Sequence, residues 1–138
     1  MPYCIKVNGD FSAAHFLTGE RIHGHNFSVE VRVCGRLNEE FMVMDFSDLK
    51  NAVDEICDKL DHRVLISSKD AKLSEESIEI QNEPGYIFPR SDVAVLPVES
   101  TTTECLAKYI HLRLRERINK KISVSLSEKE GCSAAYSE

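Results

Sequence analysis

Residues 23–35, HGHNFSVEVRVCG, carry two patterns at once. Phe27, Val29, Val31 and Val33 alternate with Ser28, Glu30 and Arg32, which predicts a half-buried strand over 25–35. His23 and His25 stand two apart at its start, so both imidazoles share one face of the pleat. The preceding segment, 3–17, alternates through Phe11, Ala13, His15 and Leu17 and predicts a partner strand with His15 in phase with its apolar side. Three imidazoles from neighbouring strands leave one tetrahedral position open. That is the donor set of a catalytic zinc, since structural sites usually close all four positions. Gly24 permits close backbone approach between the two histidines. Glu20, three residues before the pair, offers a carboxylate to accept a proton beside that open position. The plainer alternative makes His15 a hydrogen-bonded core residue, with His23 and His25 decorating a turn.

Working outward, a short strand is expected at 41–45 (Phe41, Val43), completing a three-stranded antiparallel meander. Asp45-Phe46-Ser47 opens a helix, capped by Asp45 or Ser47, whose Leu49, Val53, Ile56, Cys57 and Leu60 recur at helical spacing to Asp61. Residues 66–98 break the rhythm. They read as an irregular hairpin-bearing insertion, mobile or interface-forming, with β-like pieces at 78–80 and 93–96 and Pro84, Gly85 and Pro89 between. Thr101-Thr102-Thr103-Glu104 is a capping-box pattern, and Leu106, Ala107, Ile110, Leu114 and Ile118 continue a second amphipathic helix. A last strand runs from Ile122 through Val124 and Leu126. The order gives one α+β domain over 1–138, an antiparallel sheet with helices on one face.

Composition narrows the function. At 138 residues, 42% hydrophobic and 29% charged, the chain can bury a core without disulfide staples. A net charge of −6 argues against a nucleic-acid binder. The five cysteines are scattered, with no C-x-x-C pair, and no apolar run reaches membrane-spanning length or resembles a signal peptide. The expectation is a reduced, cytoplasmic protein with no membrane or nucleic-acid partner.

Two further groups could carry chemistry. Asp61-His62 closes the first helix. An Asp–His pair can hold an imidazole poised for proton transfer, although a C-terminal cap in which His62 and Arg63 complement the helix dipole is the reading the sequence alone favours. Glu128 continues the alternation of Val124 and Leu126 toward the buried face, where a carboxylate needs a partner, such as a ligand with two N–H donors. A frayed, solvated C-terminus is the even alternative.

Phe11-Ser12-Ala13-Ala14-His15, His23-Gly24-His25-Asn26-Phe27, Val43-Met44-Asp45-Phe46-Ser47-Asp48-Leu49-Lys50, Leu60-Asp61-His62 and Thr102-Thr103-Glu104-Cys105-Leu106-Ala107 follow one another in order. Together they resemble the 6-pyruvoyltetrahydropterin synthase / 6-carboxytetrahydropterin synthase family over nearly the whole chain except 66–98. The resemblance implies the tunnelling fold: a four-stranded antiparallel sheet with two helices on one side. Subunits of that fold assemble into barrel-like trimers or hexamers with active sites at their interfaces. It implies His15, His23 and His25 as zinc ligands, Asp61 and His62 as a proton relay, and Glu128 as the carboxylate anchoring the pterin, with Glu130 a second candidate. It also implies Thr102 and Thr103 as substrate-holding residues and 7,8-dihydroneopterin triphosphate as substrate. Arg21, Arg63 and Lys108 are candidates for the triphosphate.

One departure stands out. The family's usual catalytic cysteine would fall at Gly19, and no cysteine lies between Cys4 and Cys34. Glu20 resembles instead the branch in which glutamate replaces that cysteine and the side chain is cleaved to 6-hydroxymethyl-7,8-dihydropterin. The alternatives are 6-pyruvoyl- or 6-carboxytetrahydropterin formation by triphosphate elimination, and a non-catalytic zinc- or pterin-binding protein of the same fold.

Overall fold

A computed structural model describes residues 2–80 and 86–138; the Pro84-Gly85 break lies outside the described residues. The alternating segments become two 13-residue strands, β1 (Tyr3–His15) and β2 (His23–Gly35), paired antiparallel along their whole length. Phe11 faces Phe27, Ala13 faces His25 and His15 faces His23, so the histidines share the phase of the apolar positions. That face is closed: Phe11, Ala13, Phe27, Val29, Val31 and Val33 are all buried.

Two helices supply the cover. In α1 (Phe46–Leu60) Asp45 is the N-cap, its Oδ1 accepting the Ser47 N–H at 2.7 Å. Leu49, Val53, Cys57 and Leu60 form the buried stripe laid over β1. Gly9 of β1 makes this approach possible, because a Cβ there would sit 2.9 Å from Val53 Cγ1 and 3.2 Å from Cys57 Sγ. In α2 (Thr103–Arg115) Thr102 is the N-cap, accepting from Cys105 N at 3.2 Å. The helix ends three residues short of Ile118, which is nevertheless buried in the closing turn by its N–H bond to Leu114 O.

The remaining strands are β3 (Arg63–Ser67), β4 (Ala71–Leu73), β5 (Ser77–Ile80), β6 (Ile87–Pro89), β7 (Val93–Leu96), β8 (Lys121–Lys129) and β9 (Cys132–Ser137). Among the described residues the main sheet has six strands, ordered β7-β3-β1-β2-β8-β9, not the expected four, and it is mixed. β3 lies parallel to β1 and β7 parallel to β3, so both ends of the supposed insertion belong to the sheet. β4, β5 and β6 form a separate antiparallel sheet. Its Ile78 and Ile80 join Ile66 in a second small core that takes in Phe16 and Tyr86. At the other end β8 and β9 form a hairpin about Gly131, whose φ of +87° suits glycine.

Two further expectations need correction. Residues 41–45 form no strand. Asn38 Oδ1 accepts from Glu40 N and Met42 N while Phe41 N bonds Asn38 O, so the segment's polar groups are spent on a turn with Phe41 at φ +64°. The cysteines are not all reduced either. The β1–β2 register sets Cys4 opposite Cys34 with Cα atoms 4.0 Å apart, and the two form a disulfide. Cys57, Cys105 and Cys132 are free. No helix among the described residues is long and apolar enough to cross a membrane.

Candidate metal and substrate site

The end of β1 and the start of β2 bring His15, His23 and His25 together, their ligand atoms all within 4.8 Å of one another. Backbone carbonyls fix two of the rings. His15 Nδ1–H donates to Thr101 O at 2.7 Å and His23 Nδ1–H donates to Arg21 O at 3.0 Å. With the proton committed to Nδ1, each Nε2 keeps its lone pair. Burial lowers the His15 pKa, and the neighbouring imidazoles lower it further, so this ring resists protonation. The Nε2 atoms of His15 and His25 are buried and meet no hydrogen-bond partner among the described residues. Two buried ring nitrogens without a hydrogen bond, beside a third imidazole, fit a divalent cation, and zinc suits all-imidazole donors. Phe27 floors the group, its ring centroid 5.8 Å from His15 and 5.5 Å from His25.

Glu128 arrives from β8 in phase with buried Val124 and Leu126. Its Oε2 lies 3.6 Å from His25 Nε2 and accepts the Thr103 hydroxyl at 3.1 Å. A carboxylate with remaining acceptor capacity therefore stands beside His25. Glu130 is exposed at the hairpin turn. Thr102, the other expected substrate contact, spends its hydroxyl oxygen as a helix cap.

Asp61 and His62 sit beyond the end of α1. The Asp61 N–H caps the helix on Cys57 O. Its carboxylate accepts from Ser12 N at 2.8 Å and from His62 Nδ1 at 2.8 Å. The Ser12 N–H is the main cause of the lowered Asp61 pKa, with the His62 bond second. His62 holds φ +56° while its own N–H reaches Ser12 O at 2.6 Å, so β1 orients the pair from both sides. His62 and Arg63 line a cleft of about 410 Å³ with Ser12, Gly24, His25 and Asn26.

Glu20 is placed differently. It is exposed on the β1–β2 connection, in a turn closed by Glu20 N to Leu17 O at 2.9 Å, with Gly19 at φ +85°. It is outside the histidine cluster. Arg21 is exposed beside it, while Lys108 stands 5.7 Å over the Tyr136 ring. Sequence reasoning missed Thr101, whose contribution to His15 is a carbonyl, and Ser12, whose contribution to Asp61 is an amide. Backbone donors and acceptors carry no residue signature.

Fold and site define an α+β enzyme domain whose three-imidazole cluster, carboxylate and Asp–His pair converge around one hairpin. The family model for 6-pyruvoyl tetrahydropterin synthase matches residues 4–138, and the chain belongs to that family of pterin-biosynthesis lyases. It is 31% identical over 127 residues to the 6-carboxy-5,6,7,8-tetrahydropterin synthase of Aquifex aeolicus, covering 85% of this chain and 74% of that protein. It is 44% identical over 64 residues to the dihydroneopterin monophosphate aldolase of Pyrococcus furiosus, covering 44% and 55%. The 6-pyruvoyl tetrahydropterin synthase of Plasmodium vivax superposes with a TM-score of 0.90 at 27% identity, covering 100% of this chain and 98% of that one. Two variants of the Plasmodium enzyme have also been solved, with a catalytic glutamate changed to alanine and to cysteine.

Proposed function

We propose that this protein is a zinc-dependent lyase that cleaves the side chain of 7,8-dihydroneopterin triphosphate to 6-hydroxymethyl-7,8-dihydropterin. The observation that carries the metal is the pair of buried Nε2 atoms on His15 and His25, neither of them hydrogen-bonded among the described residues, with His23 beside them. Bound zinc would supply a Lewis acid that polarises a side-chain hydroxyl and lowers the cost of losing its proton. One relative, named an aldolase, supports cleavage as the outcome, and the catalytic glutamate of the Plasmodium vivax synthase supports a glutamate in catalysis.

The chemistry assigned to this chain is a retro-aldol step. Glu128 accepts N–H groups of the pterin edge, with Thr103 fixing its carboxylate and Thr102 beside it at the helix start. Glu20 takes the proton of the C2′ hydroxyl. The C1′–C2′ bond breaks, C2′ becomes an aldehyde, and the electron pair on C1′ is delocalised into the ring. His62, oriented by Asp61, returns a proton to C1′. The products are the hydroxymethyl pterin and glycolaldehyde bearing the phosphate chain. Because Glu20 lies outside the histidine cluster, we assign the complete site to an oligomer, a trimer or hexamer in which a second subunit orders the Glu20 connection.

The test is product identification after zinc-loaded protein meets the triphosphate, with the monophosphate in parallel. Release of 6-hydroxymethyl-7,8-dihydropterin, abolished in Glu20→Ala, is expected. A product that keeps all three side-chain carbons would overturn cleavage and favour 6-pyruvoyltetrahydropterin formation, whereas a 6-carboxytetrahydropterin would overturn the hydroxymethyl product and favour the synthase activity named for the Aquifex relative. Full activity in Glu20→Ala would remove Glu20 as the base.

A further inference from the structure

Thr101 grips two consecutive residues at the end of β1. Its carbonyl accepts the His15 Nδ1–H at 2.7 Å, and its hydroxyl donates to Phe16 O at 3.2 Å. The partners are 86 and 85 positions away in sequence, and Thr101 is only 4% exposed. The segment that delivers it is tied down in turn. Leu96 ends β7 opposite Ser67 of β3, Ser68 N donates to Leu96 O at 2.8 Å, and the buried Ser67 hydroxyl donates to Val98 O at 2.5 Å. A strap at 96–101 therefore leaves the sheet edge, crosses to the end of β1 and runs into the N-terminus of α2.

We infer that Thr101 is a positioning residue for the metal, its hydroxyl clasp on Phe16 holding its own carbonyl against His15 so that Nε2 faces the site. The inference rests on the reading that the three histidines bind metal. Outer partners that orient a ligating imidazole typically contribute 10–100-fold in metal affinity. Most such partners are side-chain carboxylates or carbonyls held by secondary structure. Here the carbonyl belongs to a strap outside any helix or strand, so a separate bond must hold it in register, and the threonine hydroxyl supplies that bond.

The test compares Thr101→Val, which keeps the shape and the carbonyl but loses the hydroxyl, with Thr101→Ser, which keeps the hydroxyl. Zinc affinity of the full chain is measured by competition with a chromogenic chelator, and Co²⁺ absorption reports the ligand geometry. Thr101→Val should bind zinc roughly 10–100-fold more weakly, with an altered Co²⁺ band, and Thr101→Ser should restore both. Metal-free unfolding of each variant gives its folded fraction. A Thr101→Val affinity equal to wild type, or a loss wholly accounted for by unfolded protein, would overturn the positioning role. If the valine variant does not fold, Thr101→Ala carries the same comparison. Wild type that binds no zinc would instead sink the metal reading itself.

Discussion

Phe27 is the residue on which fold and site most directly depend, and Phe27→Ala tests that dependence. The ring is fully buried, stacks on Phe11 at a centroid distance of 4.9 Å, and meets the edges of His15 and His25 at 5.8 and 5.5 Å. Removing a buried phenyl costs about 3–5 kcal/mol in lost transfer energy and residual cavity. For a chain of 138 residues the unfolding entropy is roughly 0.29 kcal/mol per kelvin, so each kcal/mol moves Tm by about 3.4 °C. Metal-free Phe27→Ala should therefore melt about 10–17 °C below wild type by circular dichroism. Phe27→Leu keeps most of the volume and should lose a small part of that. The histidines also lose their floor. Zinc should then raise the Tm of Phe27→Ala by less than it raises that of wild type, since the gain follows the ratio of metal concentration to dissociation constant. A metal-free Phe27→Ala within about 3 °C of wild type would refute the packing argument, because it would place the lost burial below ~1 kcal/mol.

Two other outcomes follow from single contacts. Glu128→Gln keeps the size of the side chain but replaces an acceptor-only carboxylate, so charge-assisted bonds to the pterin N–H groups should weaken by about 1.5–3 kcal/mol. A pterin titration followed by fluorescence should then show roughly 10–150-fold weaker binding, and unchanged binding would remove Glu128 as the anchor. For the disulfide, protein denatured without reductant should titrate three thiols, Cys57, Cys105 and Cys132, and five after reduction. Five in both states would mean that the Cys4–Cys34 bridge does not form.

The legible parts of this molecule are those where local chemistry and burial agree. Strict alternation over 25–35 and at 11–15 identifies the hairpin and the phase of its histidines, because a one-residue slip would turn Phe27 and the valines to solvent. Asp45 and Thr102 are readable as caps, since a short polar side chain before an apolar helical stripe has few other uses. Glu128 is readable from the same alternation that buries Leu126. Pairing between distant segments is another matter. Val64–Ser67 and Val93–Leu96 are short apolar runs joined by a long connection that sets no register, and a parallel ladder leaves no local mark. The Cys4–Cys34 pairing is equally invisible until the full β1–β2 register is known, since a separation of 30 residues by itself places nothing.

The site divides along the same line, and the division says what kind of device it is. Its donors are side chains, and each is a recognisable residue at a recognisable spacing. What prepares those donors is mostly backbone: Thr101 O and Arg21 O set the tautomers of His15 and His23, and the Ser12 N–H holds the Asp61 carboxylate. Any residue but proline offers both an amide N–H and a carbonyl, so evolution can change the side chains at Arg21 or Ser12 without disturbing the groups that orient the site. Thr101 differs because its hydroxyl carries a second bond, to Phe16 O, and so ties the carbonyl's position to one particular side chain. The hairpin therefore chooses which atoms face the site, and the strap from 96 to 101 chooses which nitrogen of His15 is free. That second choice is why residues 66–98, which read from the sequence as an insertion, cannot be treated as an appendage. Their last strand, β7, fixes the starting point of the strap, and a shift of the strap would withdraw the acceptor that keeps the His15 proton on Nδ1.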